Sequence, residues 1–260
     1  PSFREALGAL HHPHEPSDIE PERPAWSRLA YDELLAGQLA LALVRAHQRT
    51  LPGRGSSGEG RLRAKVIAAL PYSLTPSQAR SIDDIVTDLA RPQRMVRLLQ
   101  GDVGAGKTIV ALLAAVVAME NGFQVAFMAP TEIRAGQHYA NIARLLAPTR
   151  FRVDLLTGST PSPEKLTIEA HLERGSSHLI VGTHALVQER IAFHRLGLVV
   201  IDEQHRFGVA QRAALRAKGL RPDVLLMTAT PIPRTLALTI YGDLDVSVID
   251  EMPPGRKPIV

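Results

Sequence analysis

The chain has 260 residues, with 30 Lys plus Arg against 26 Asp plus Glu, a formal charge of +4, 45% hydrophobic residues and no cysteine. That length and apolar content support one large domain or one domain with a smaller attachment, and the lack of cysteine excludes disulfide scaffolds, thiolate metal centres and thiol redox chemistry. No apolar run reaches the roughly 18 to 20 residues needed to cross a bilayer, since even 109–119 is flanked by Lys107 and Glu120.

Residues 11–26 carry four prolines and three histidines and read as extended or irregular chain. From Leu29 to Gln48, Leu34, Leu35, Leu39, Leu41, Leu43 and Val44 recur at helical spacing, which predicts a helix with a packing role. A Gly- and Ser-rich loop at 53–58 precedes a second helix over Arg61–Leu70, stopped by Pro71.

From about Thr75 short apolar segments alternate with helical ones. Strands are predicted at 96–99, 125–128, 152–155, 179–181, 198–201 and 224–227, with crossover helices at 108–120, 132–146, 163–174, 209–218 and 233–241. This alternation defines an α/β fold with a mainly parallel central sheet covered on both faces. Functional loops then belong at the carboxyl ends of the strands.

Gly101-Asp102-Val103-Gly104-Ala105-Gly106-Lys107-Thr108 follows the first of these strands and opens a helix. This is P-loop spacing. The small residues Gly101, Gly104, Ala105 and Gly106 let backbone N–H groups surround phosphates, Lys107 offsets their charge, and the Thr108 hydroxyl can ligate magnesium. A dinucleotide fingerprint would lack the Lys-Thr pair and would place an acid at the end of the next strand. That strand ends Phe127-Met128-Ala129-Pro130-Thr131, without one.

The apolar run Leu198-Val199-Val200-Ile201 delivers Asp202 and Glu203, followed by Gln204 and His205. Such a pair suits ATP hydrolysis: Asp202 can hold magnesium, and Glu203 can orient or deprotonate the attacking water. Gln204 and His205 either couple the nucleotide to DNA or to the next loop, or make local hydrogen bonds. Thr228 and Thr230 stand at another strand end before Pro231-Ile232-Pro233, in a coupling role or as packing and cap residues.

In combination these segments resemble the first motor lobe of a superfamily 2 helicase, in its bacterial fork-remodelling branch. The resemblance rests on Leu74-Thr75-Pro76-Ser77-Gln78, the 101–108 loop, Ala129-Pro130-Thr131-Glu132-Ile133 with Gln137-His138, Thr157-Gly158-Ser159 and Gly182-Thr183-His184. It rests further on Asp202 to Gly208 and Thr228 to Thr235, the narrowest of the set. The transcription-repair coupling translocase has a similar motor.

The resemblance implies a RecA-like P-loop NTPase lobe at 73–252, a helical segment at 27–72, an irregular linker at 1–26 from a missing wedge domain and a linker at 253–260 toward a missing second lobe. It implies ATP and Mg2+ as ligands, catalysis by Lys107, Asp202 and Glu203, and adenine recognition by Gln78, for which helix capping is the plain alternative. DNA-backbone contacts would come from Pro130, Thr131, Arg134, Thr157, Gly158, Ser159, Thr183 and His184. Two residues depart from the pattern: Ala105 stands where relatives have serine, and Arg134 where they have an aliphatic residue. The implied partners are fork or branched DNA and a single-stranded DNA-binding protein, in the cytoplasm at the nucleoid. Read as a fragment lacking the second lobe, the chain alone is expected to hydrolyse ATP slowly. The competing classes are a nucleotide-sensing scaffold module, a small-molecule kinase and a structural α/β domain.

Overall fold

The computed structural model describes residues 1–50, 53, 55–58, 60–203, 218–219, 221–230 and 244–253. The chain divides into two compact units, residues 1–49 with 235–243 and residues 50–234 with 244–260.

In the first unit, helix α1 (Phe3–His11) starts at a reciprocal cap: Ser2 N–H donates to Glu5 Oε2 at 2.8 Å, and Glu5 N–H donates to Ser2 Oγ. The segment read as irregular is more ordered than its prolines imply. A 3-10 turn spans Pro16–Ile19, held by Asp18 Oδ2 accepting from the His14 and Glu15 N–H groups at 2.9 and 3.0 Å. Helix α2 (Pro24–Thr50) then begins on Pro24. Proline has no N–H to lose in a first helical turn, so these prolines start elements rather than break them. The helix expected over 29–48 is present, but Leu34, Leu39 and Leu43 are 64%, 55% and 70% exposed. The packing expected of them is not made.

The second unit comprises residues 50–234 and 244–260. The Gly53 and Ser56 N–H groups donate to the carbonyls of Pro92 and Leu89, and Leu62 N–H donates to Glu120 Oε1 at 2.9 Å. Helix α3 (Arg61–Ala68) puts Val66 into the core. Helix α4 (Pro76–Ala90) follows, which is not among the predicted elements.

The strands are β1 (Val96–Gly101), β2 (Gln124–Met128), β3 (Val153–Leu156), β4 (Leu179–Gly182), β5 (Leu196–Ile201), β6 (Asp223–Thr228) and β7 (Asp245–Ile249). The crossover helices described are α5 (Lys107–Glu120), α6 (Glu132–Leu146) and α7 (Ser162–Glu173). Of those predicted at 209–218 and 233–241, every residue but Lys218 lies outside the described residues. Six strands match expectation within two residues. Strand β7 was not predicted, because Asp245-Val246-Ser247-Val248-Ile249 alternates polar with apolar and sits at a sheet edge, where one side is not covered.

These strands form one parallel sheet in the order β3-β4-β2-β5-β6-β1-β7. Helix α5 is buried along its length from Ile109 to Met119, which explains why its sequence is apolar all round rather than on one stripe. The register aligns the carboxyl ends: Gly101 with Ile249, Gln100 with Thr228, Met128 with Ile201 and with Gly182, and Leu156 with Gly182. The loops carrying the motifs therefore leave one edge of the sheet. Gly182 is required there by close approach, since a Cβ at that position would lie 2.3 Å from the Leu156 carbonyl.

Candidate functional site

A cleft of about 630 Å³ opens at this edge, between the loop after β1 and helix α6, which lines it from Arg134 to Leu145. Its lining includes Gly104, Gly106, Lys107, Thr108, Asp202 and Glu203. The P-loop and the acidic pair thus face one space, with β6 between their strands. Adjacent strands lie about 4.8 Å apart, so β1 and β5 are separated by about 10 Å, within reach of a triphosphate.

The loop owes its shape to Gly106, whose φ of +87° is a left-handed conformation open chiefly to glycine. A Cβ there would also lie 2.3 Å from Gln78 Nε2. Lys107, in the first turn of α5, donates from Nζ to the Gly101 carbonyl at 2.6 Å and the Asp102 carbonyl at 3.0 Å. Burial pulls its ammonium below the usual lysine value; the charges of Asp202, Glu203 and Asp102 oppose this, and that of Arg134 adds to it. Thr108 is half-buried in the same turn.

Gln78 is buried at the third position of α4 and ties two elements together. Its Oε1 accepts from Thr75 N–H at 3.0 Å, while Thr75 Oγ1 accepts from Gln78 N–H at 3.2 Å. Its Nε2 donates to the Ala105 carbonyl at 2.7 Å. Capping and contact with the P-loop coexist in one side chain.

Asp202 is 5% exposed, and its backbone N–H continues the sheet to the Met128 carbonyl at 2.9 Å. Its Oδ2 accepts from His138 Nε2 at 2.8 Å. Glu203 has φ +51°, one of two positive values at non-glycine positions among the described residues. Such backbone in an acid at a strand end is a feature of built sites, where strain is held by the surroundings. Thr228 is buried, and its Oγ1 accepts from the N–H of the exposed Thr230 at 3.2 Å. Gln204 and His205 lie outside the described residues.

The donor set fits a magnesium-bound nucleotide. A buried carboxylate and a half-buried hydroxyl, Asp202 and Thr108, line the same cleft as the lysine. Among the described residues no cluster of three or more His, Asp or Glu forms a cage for a metal. Magnesium needs none, since it binds through one or two protein ligands plus phosphates and water.

The residues expected at DNA occupy the other half of the edge. Pro130 and Thr131 follow β2, Thr157, Gly158 and Ser159 follow β3, and Thr183 and His184 follow β4, three strands adjacent in the sheet. Thr131 caps α6 by accepting from Arg134 N–H at 3.2 Å. Glu132 binds the neighbouring turn, accepting from Ser159 Oγ at 2.7 Å and Ser159 N–H at 3.1 Å, and these bonds hold its carboxyl below the usual range. Lys165 Nζ donates to the Gly158 carbonyl at 2.8 Å. Thr183 Oγ1 is buried without a hydrogen-bond partner among the described residues. Arg134, grouped with the DNA-facing residues, lines the nucleotide cleft.

Sequence reasoning missed His138, Asn141 and Tyr72 as cleft residues. The signal was present for α6: Arg134, His138 and Asn141 recur at i, i+4 and i+7, which places them on one helix face.

The fold and cleft are those of a RecA-like P-loop NTPase domain, and a family model of DEAD/DEAH box helicases matches residues 75–239. The chain belongs to that family. It is similar to the ATP-dependent DNA helicase RecG: 50% identical over 235 residues to that of Aquifex aeolicus, covering 90% of this chain and 30% of the relative. To that of Escherichia coli strain K12 it is 48% identical over 263 residues, covering 98% and 38%. The structure of RecG bound to a three-way DNA junction superposes with a TM-score of 0.82 at 45% identity, covering 98% of this chain and 34% of that one. The DEAD-box helicase Mss116 bound to single-stranded RNA shares the fold alone, with a TM-score of 0.59 at 16% identity over 77% of this chain and 47% of that one. The chain spans about a third of the length of the curated relatives it matches.

Proposed function

We propose that the chain is the ATP-binding first motor lobe of a DNA helicase that couples ATP hydrolysis to remodelling of stalled forks and branched DNA. The observation that carries this is the shared cleft of Lys107, Thr108, Asp202 and Glu203 in a chain with RecG relatives at about half identity. The structure of one such relative holds a three-way DNA junction, which supports a branched DNA partner.

In this reading Lys107 leaves the Gly101 and Asp102 carbonyls to meet the β- and γ-phosphates, and the loop N–H groups surround them. Asp202 and Thr108 would hold Mg2+, which would supply charge neutralisation on the phosphate oxygens. Glu203 orients the attacking water and accepts its proton, and Gln78 reads the adenine edge. Pro130, Thr131, Thr157 to Ser159, Thr183 and His184 form a ridge for the DNA backbone, positioning it without reading sequence. Arg134 belongs with the phosphates, because it lines the cleft. Thr228, at the end of β6 between the strands of the P-loop and the acidic pair, serves with Thr230, Gln204 and His205 in coupling.

The relatives are about three times longer, so a second lobe and a wedge domain complete the motor in this proposal. The chain alone then hydrolyses ATP slowly, because the opposing charges that stabilise a transferred phosphoryl group are not on it. A single-stranded DNA-binding protein as partner and a place at the nucleoid in the cytoplasm follow from family resemblance. Among the described residues no helix is long and apolar enough to cross a membrane.

The test is ATP hydrolysis by the full-length protein with and without a model fork, beside Lys107→Ala and this chain. Fork stimulation that is lost in Lys107→Ala and absent from this chain is the expected result. Stimulation retained in Lys107→Ala would overturn the P-loop assignment.

A further inference from the structure

Asp202 is buried at the end of β5, and a buried carboxylate has several hydrogen-bonding sites to satisfy. Among the described residues His138 is the only hydrogen-bond partner of its side chain, at 2.8 Å. A carboxylate only accepts, so the imidazole Nε2 carries the proton and donates. His138 itself is 8% exposed, and its ring packs tilted against Phe127 with centroids 4.8 Å apart. The ring is therefore held from two directions: by its place on α6 and by the strand β2 that carries Phe127.

We propose that His138 is the positioning residue of the magnesium carboxylate. Its Nε2–H clamps Oδ2 and fixes the plane of the Asp202 carboxylate, so that the remaining oxygen is presented to the metal in one orientation. Ligating carboxylates depend on such outer partners, whose loss typically costs roughly 10- to 100-fold in metal affinity. The inference rests on the reading of Asp202 as a magnesium ligand.

The experiment is binding of a fluorescent ATP analogue to this 260-residue chain during a Mg2+ titration and in EDTA. The proteins are the parent, His138→Phe, His138→Gln and Asp202→Asn. The phenylalanine keeps a ring against Phe127 but donates nothing; the glutamine amide reaches the Nε2 position and donates. Expected for His138→Phe is a Mg2+ midpoint raised roughly 10- to 100-fold with binding in EDTA unchanged. Most of the shift should return toward the parent in His138→Gln.

A His138→Phe midpoint equal to the parent's overturns the proposal while leaving the Asp202 reading in place. Equal loss of binding with and without metal marks a packing role and also overturns it. A parent indistinguishable from Asp202→Asn, with no response to Mg2+, defeats the underlying reading of Asp202 and the inference with it.

Discussion

The side-chain amide of Gln78 donates to the Ala105 carbonyl at 2.7 Å while its oxygen accepts the Thr75 N–H at 3.0 Å. One residue thereby joins the start of α4 to the P-loop. Replacement by alanine leaves a buried N–H and a buried C=O unpaired, each worth about 1–3 kcal/mol. Gln78→Ala should lower the melting temperature by several degrees and bring the ATP and GTP dissociation constants closer together. Unchanged melting would show that the two bonds carry no net stability.

Lys107 is held by two loop carbonyls and lies close enough to Asp202, Glu203 and Asp102 to respond to their charges. Lys107→Ala in the full-length protein should reduce kcat on the order of 100-fold or more, the effect of losing one charge-stabilising donor. DNA affinity measured without nucleotide should stay within twofold.

Gly106 cannot accept a side chain on two counts, its φ of +87° and the approach of Gln78 Nε2. Gly106→Ala incurs about 1–2 kcal/mol for left-handed backbone and also pushes Gln78 off Ala105. Nucleotide binding should fall further in Gly106→Ala than in Gln78→Ala. Equal losses would place the whole effect in the Gln78 contact.

Asp223, at the opposite end of the sheet, accepts from Met95 N–H at 2.7 Å, yet burial raises its pKa from 3.8 to about 7. Between those values the folded state binds more protons than the unfolded one, so the site loses stability as pH rises from about 4 to 7. The loss is complete above pH 7 and amounts to about 4 kcal/mol at most. Asp223→Asn keeps an oxygen for Met95 and does not ionise. In urea unfolding it should be more stable than the parent at pH 8, with the gap closing by pH 5. A gap independent of pH would show that the carboxyl does not titrate there.

Arg134 lines the cleft one helical turn before His138, although it is grouped with the residues expected at DNA. Arg134→Leu should raise the KM for ATP by roughly 2- to 5-fold, the scale of an exposed charge pair, with fork affinity unchanged. Weaker fork binding at constant KM would return the residue to the DNA ridge.

The alternation of apolar and helical segments was enough to place six strands and the α5, α6 and α7 crossovers, because a parallel sheet buried on both faces writes its strands as continuous apolar runs. Strand β7 escaped for the converse reason: Asp245 and Val248 face outward at an edge, and the segment lacks that run. The P-loop and the acidic pair were legible because phosphate chemistry demands particular residues at fixed spacing. The His138–Asp202 bond was not, since it joins positions 64 apart and depends on the β2 to β5 pairing. The prolines of 11–26 misled because proline marks the first turn of a helix as readily as its end.

Strand β1, which bears the 101–108 loop, is synthesised before the other described strands of its sheet, yet its neighbours there are β6 and β7, the last two. Arg97 on β1 likewise waits for Ser247, 150 residues later, and Ser77 N–H waits for Glu251, 174 residues later. During synthesis both backbone edges of β1 are unpaired while β2 to β5 are already able to associate. The segment most sensitive to an interrupted translation is thus the oldest part of the sheet, and a nascent chain released before residue 245 would present that strand to any other unpaired edge it meets.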